Sequence, residues 1–181
     1  MDLRRVRRWD WLTGLSGAAL IGVMFLDWYR VDFHGGAVFG PGTRASANAW
    51  QAFSAIDVIM LIAGLAGIAV VVVTATQRTL AIPQTISTLS VIPALVAAIL
   101  VVIRVVDPPG WTSIFSGGTA VPDQAVGGGG LNVDVTREAG VWLGLAAALT
   151  LLVACWRAMG DQRIPRVARS SVEVTRLPAP E

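Results

Sequence analysis

The chain of 181 residues is 54% hydrophobic and 14% charged, with a formal net charge of +2; a soluble domain would carry about 25% charged residues. One cysteine, Cys155, and one histidine, His34, exclude an internal disulfide, thiol–disulfide oxidoreductase chemistry, a bis-histidine haem and a zinc site with the usual ligands. The basic residues are too few for a nucleic-acid surface, and no cofactor is expected.

Residues 1–10 are basic, with Arg4, Arg5, Arg7 and Arg8 ahead of the first apolar run. Four windows are long and apolar enough to cross a bilayer: Trp11–Tyr29, Phe53–Ala75, Ile82–Ile103 and Ala139–Met159. A crossing helix needs roughly 20 apolar residues, and a soluble core helix would show a polar stripe that these lack. The first window ends in "LDWYRVD", which offers no small-residue cleavage site, so it reads as a retained signal anchor. The expected fold is an all-α membrane protein, a four-transmembrane-helix antiparallel bundle over 11–159. Its outer loops are 30–52 and 104–138, and the turn at 76–81 makes a tight hairpin. The tail, 160–181, is rich in Arg and Pro and is expected to be disordered.

Arginine asymmetry sets the expected orientation. With the N-terminus inside, ten arginines fall on the inner side and four, Arg30, Arg44, Arg104 and Arg137, on the outer side. Both termini are then cytoplasmic in the plasma membrane. The tryptophans divide into an inner belt of Trp9, Trp11 and Trp156 and an outer belt of Trp28, Trp50, Trp111 and Trp142.

The outer loops carry a second signal. "YRVDFH" puts Tyr29, Val31 and Phe33 on one face, and "LNVDVT" does the same with Leu131, Val133 and Val135. Alternation of period two predicts strands, which would pair into a small sheet capping the bundle. The run Gly127–Gly130 reads as a linker and not as a phosphate loop, which needs a strand before it and a helix after it.

Small residues recur at four-residue spacing: Gly14, Ala18 and Gly22 on the first helix, Ala63 and Gly67 on the second, Gly140 and Gly144 on the fourth. Such stripes let backbones approach closely in lipid. They serve packing within the monomer or a face for a second copy or another membrane protein. The third helix holds Pro93, which removes a backbone donor and predicts a bend.

The sparse charges at the outer helix ends are the candidate site: Asp27, Asp57, Arg104 and Glu138. Asp57 shares a face with Gly64, and Asp27 with Leu20, Ser16 and Thr13. Arg104 shares one with Ala97, Pro93 and Ser90, so all three are expected to point inward. Arg104 would then bridge Asp27 and Asp57 beneath the loops. The alternatives are charges meeting headgroups and water, or a proton or cation site.

The stretches "AWQAFSAIDVIMLIAGLAG", "TATQRTLAIP", "RVVDPPG" and "AGVWLGLAAALTLLVACWRAM" together resemble a group of small, uncharacterised four-helix membrane proteins of actinobacteria. All fourteen basic residues are arginine, a bias that suits a GC-rich genome. The resemblance implies the membrane class, four spans and the position of Asp57; it brings no catalytic residue. The plan of loops over a bundle is also similar to that of claudin-like proteins, without their paired loop cysteines.

The function expected from these residues is non-enzymatic: a structural or accessory membrane protein whose partners are the lipid bilayer and a second copy or another membrane protein. A small transporter or channel component using Asp57 or Asp27, and a lipid-modifying enzyme at the outer rim, are the alternatives.

Overall fold

The computed structural model describes residues 6–34, 44–53, 55–76, 81–110, 114 and 132–162. Among these are four long helices, α1 (Arg8–Val23), α3 (Ile56–Thr76), α4 (Ala81–Val106) and α5 (Ala139–Gln162), and a short one, α2 (Ala49–Ala52). Three strands, β1 (Asp27–His34), β2 (Arg44–Asn48) and β3 (Asn132–Arg137), complete the described elements. The helices are apolar nearly all round, as burial in lipid or protein on every side demands. Within them the segments Ile56–Thr76, Thr88–Val106 and Ala139–Gly160 are long and apolar enough to cross a membrane.

The first window departs from expectation. Helix α1 stops at Val23, and at 16 residues it spans only about 24 Å. Tightened bonds from the Met24, Phe25 and Leu26 amides to the Ile21, Gly22 and Val23 carbonyls close its last turn. The Ala49 amide then takes the free Met24 carbonyl. Trp28 and Tyr29, expected at the end of a span, therefore lie in β1. The other three windows fall on α3, α4 and α5 with bounds moved by a few residues. Helix α4 continues through Pro93. The glycine linker at 127–130 and the tail beyond Gln162 lie outside the described residues.

Helix α1 packs against α3 and α5, and α4 packs against the same two, so the four helices close a ring. The seams are built on small residues. A Cβ placed on Gly17 would lie 2.5 Å from the Gly64 carbonyl oxygen, and one on Gly64 would lie 2.9 Å from the Gly17 oxygen. No side chain fits there, so α1 and α3 touch backbone to backbone. Gly67 faces the Thr13 carbonyl and a Leu151 methyl, and Gly14 faces Val71. Ala63 is buried as expected. Ala18 and Gly22, however, are exposed, and nothing lies within 4 Å of a Cβ on Gly22. The buried stripe of α1 is Asp10, Thr13, Ser16, Gly17 and Leu20, one position out of phase with the expected one.

The strands form an antiparallel sheet in the order β2-β1-β3. The two strands expected from alternation pair with Tyr29 opposite Arg137, Val31 opposite Val135 and Phe33 opposite Val133. The third, "RASAN", has neither β-branched nor aromatic residues and gives no strand signal, yet it pairs along the other edge of β1. An irregularity in that pairing leaves Trp28 as an extra residue between Asp27 and Tyr29. A bulge re-aims side chains, and here two consecutive aromatics, Trp28 and Tyr29, both turn inward and are fully buried.

Candidate functional site

The sheet end of the bundle is held by an aromatic cluster. The Trp28 ring meets Phe53 edge-on with centroids 5.5 Å apart, and Tyr29 meets the same ring edge-on at 6.0 Å. The Trp28 indole N–H donates to the Val23 carbonyl at 2.9 Å, and the Trp28 carbonyl accepts from the Glu138 amide at 2.9 Å. Helix α5 receives the indole: a Cβ on Gly140 would lie 2.7 Å from Trp28 Cδ1, and one on Gly144 2.6 Å from its outer ring atoms. The GxxxG of α5 is therefore a slot filled by a side chain of the same molecule. Trp28 belongs to the core and not to an interfacial belt.

Phe53 is delivered by α2, whose N-terminus Asn48 caps by accepting from the Gln51 amide at 3.0 Å. Over the other side of Phe53 lies the Arg104 guanidinium, 5.5 Å from the ring centroid. The Tyr29 hydroxyl donates to the Arg104 backbone carbonyl at 3.0 Å, joining β1 to the end of α4. Burial pushes the Tyr29 phenol up to about 12, with Arg104 and Arg137 acting in the opposite direction. Arg137 donates to the Val106 carbonyl at 3.2 Å, satisfying an orphan acceptor at the α4 C-terminus.

The four charges singled out by sequence do not meet as expected. Asp57 lies in the first turn of α3, inward and 3% exposed, and its Oδ1 has no hydrogen-bond partner. Arg104 is half-buried, and its buried Nε likewise lacks one. Asp27 is exposed at the head of β1, because α1 ended four residues earlier and the helical face shared with Leu20 no longer applies. Glu138 pairs with Arg30 across 2.8 Å. Among the described residues no ion pair joins Arg104 to Asp27 or Asp57; the guanidinium is engaged by Phe53 instead. The inward turn of Asp57 along the Gly64 face is as read from the helix period.

Sequence reasoning missed the roles of Trp28, Tyr29 and Phe53. The alternation in "YRVDFH" did place Tyr29 inward, but the bulge that turns Trp28 the same way has no local signature. Deeper in the bundle, Ser90 of α4 donates to the Cys155 sulfur of α5 at 3.7 Å, and Thr13 of α1 adjoins that thiol, whose side chain is buried. Among the described residues no group of three His, Cys, Asp or Glu side chains is placed to hold a metal ion. Comparison with known protein families, curated proteins and solved structures finds no match.

Proposed function

We propose that this chain is a non-enzymatic, four-span protein of the plasma membrane with both termini cytoplasmic, serving a structural or accessory role through a membrane-protein partner or a second copy. One observation supports the reading: the sheet, the aromatic cluster and the helices pack together, with Trp28 seated against Gly140 and Gly144. This unit presents the sheet on one side and an apolar belt, including Ile62, Leu95, Ile99 and Val153, around its girth. That belt supports contact with lipid. Trp11 and Leu15 continue it onto α1, which supports α1 as the fourth span despite its length. Self-association has to use a face other than the GxxxG, since that groove is occupied.

The span count and orientation are tested with single cysteines in a Cys155→Ala background, labelled in intact cells by a membrane-impermeant maleimide. Labelling at Arg30→Cys and Arg137→Cys, with none at Arg157→Cys, is expected; the reverse pattern overturns the orientation. The role is tested by crosslinking in membranes followed by native mass spectrometry. Monomer alone, with no copurifying protein, overturns it.

A second reading is favoured by one observation, the unpartnered Asp57 Oδ1 inside the bundle. Here Asp57 is the proton or cation site of a small transporter or channel component. Asp27, exposed at the head of β1, does not share that environment. Equal ion flux into liposomes bearing wild type or Asp57→Asn rules out this role for Asp57.

A further inference from the structure

At the end of the bundle opposite the sheet, two arginines lie with no described carboxylate paired to them. There α1 begins and α5 finishes, and the Arg157 guanidinium lies 5.5 Å from the Trp9 ring centroid. A cation–π contact at this distance holds the guanidinium beside the indole face and leaves N–H donors free for another acceptor. Arg8, the exposed neighbour of Trp9 in the chain, adds a second cation. Among the described residues neither Arg8 nor Arg157 forms an ion pair. Asp10, the one described carboxylate side chain at this end, is turned in: it is 2% exposed and accepts from the Arg7 amide at 3.1 Å at the start of α1. Trp11 and Trp156 are exposed at the same end.

Depth fits the chemistry. Arg157 follows Glu138 by 19 residues along α5, about 28 Å of helix, close to the roughly 30 Å of a bilayer's hydrocarbon core. With Glu138 and the sheet at one headgroup layer, Arg157 reaches the other. We propose that Trp9, Arg157 and Arg8 form a seat for the phosphate of an anionic phospholipid. Arg157, held beside the Trp9 ring, presents paired N–H donors to the phosphate oxygens, Arg8 supplies the second charge, and the exposed indoles lie at headgroup level. The proposal rests on the membrane-spanning reading above, but it is independent of which end faces the cytoplasm.

The test is native mass spectrometry of the full chain in detergent, with phosphatidylglycerol and phosphatidylcholine of identical acyl chains added in equal amounts. Wild type is expected to retain phosphatidylglycerol roughly thirtyfold over phosphatidylcholine, since the two arginines at such a surface contribute about 1 kcal/mol each. Arg8→Gln with Arg157→Gln lowers that preference several-fold even with the other arginines of this end in place, whereas Arg30→Gln at the sheet end leaves it intact. Trp9→Ala, which keeps both charges but removes the ring, lowers the preference several-fold. Equal retention of the two lipids by wild type overturns the proposal without any variant having to fold. An undiminished preference in the double variant, or in Trp9→Ala, overturns the seat as assigned. Micelles have no sidedness, so an inverted result in the maleimide labelling leaves this outcome standing.

Discussion

The two glycine seams use small residues in two physical ways. Between α1 and α3 the glycines face backbone: Gly17 meets the Gly64 carbonyl and Gly64 meets the Gly17 carbonyl. On α5 Gly144 faces only the Trp28 indole, and Gly140 faces both that ring and the Asp27 carbonyl, so the two form the walls of a slot for Trp28. The first seam lets two helices approach as closely as peptide groups allow. The second lets one large side chain lie where two helix positions carry none. Small residues four apart therefore report a lack of volume at that position and leave open what occupies the space.

Four substitutions separate these uses, read as unfolding in mixed micelles, and the first has the largest expected effect. Trp28→Ala empties the slot and destabilises by about 3–5 kcal/mol, the usual loss for an aromatic core residue. Gly144→Val, overpacked against the ring, costs about 1–3 kcal/mol alone, and much of that cost is relieved in the Trp28→Ala background. Additive losses in the double-mutant cycle would mean that the indole and the slot are not coupled. Gly64→Val costs roughly 3 kcal/mol, at the upper end for overpacking, because its obstacle includes the Gly17 carbonyl. Trimming the neighbouring side chain with Ile21→Ala should not rescue it; full rescue would show a seam of side chains.

Tyr29 comes next. Tyr29→Phe removes the bond to the Arg104 carbonyl, which lies 3.0 Å from the hydroxyl, and costs about 1–2 kcal/mol. The chain has one tyrosine, so phenolate absorbance reads this group alone. Its folded pKa, about 12, lies above the ordinary 10.0. The stability that a neutral Tyr29 contributes is thus fully present below pH 10 and is lost as pH rises towards 12, roughly 2–3 kcal/mol in all. A titration midpoint near 10 in the folded protein would mean that the ring is open to water. The smallest effect is Gly22→Ala, expected within about 0.5 kcal/mol of wild type because its surroundings are open. A large loss there would restore the stripe that sequence spacing suggested.

The sequence was most informative where chemistry changes along the chain. Apolar length located α3, α4 and α5, and alternation located β1 and β3, because both signals compare a residue with its near neighbours. The face of α1 was not legible. In a helix apolar on all sides, Gly14–Ala18–Gly22 and Thr13–Gly17–Leu20 have nearly the same spacing, and only the partner helix distinguishes them. β2 was invisible because its strand character comes from pairing with β1. The charges misled for a related reason. Arg104 is drawn to the face of Phe53, a ring delivered by the short helix α2, and residue counting along spans gives no account of such a loop element.

The sheet joins the two ends of the sequence: β1 follows α1 directly, β3 precedes α5 directly, and the two strands pair. The walls of the Trp28 slot lie on the last helix to be made. During synthesis α1, α3 and α4 are all made before the slot, and the ring of helices closes only when residues 132–162 arrive. A chain that stops short of Gly140 leaves the Trp28 indole without the two glycines that receive it, so an intact fold reports that residues 140–144 have been made.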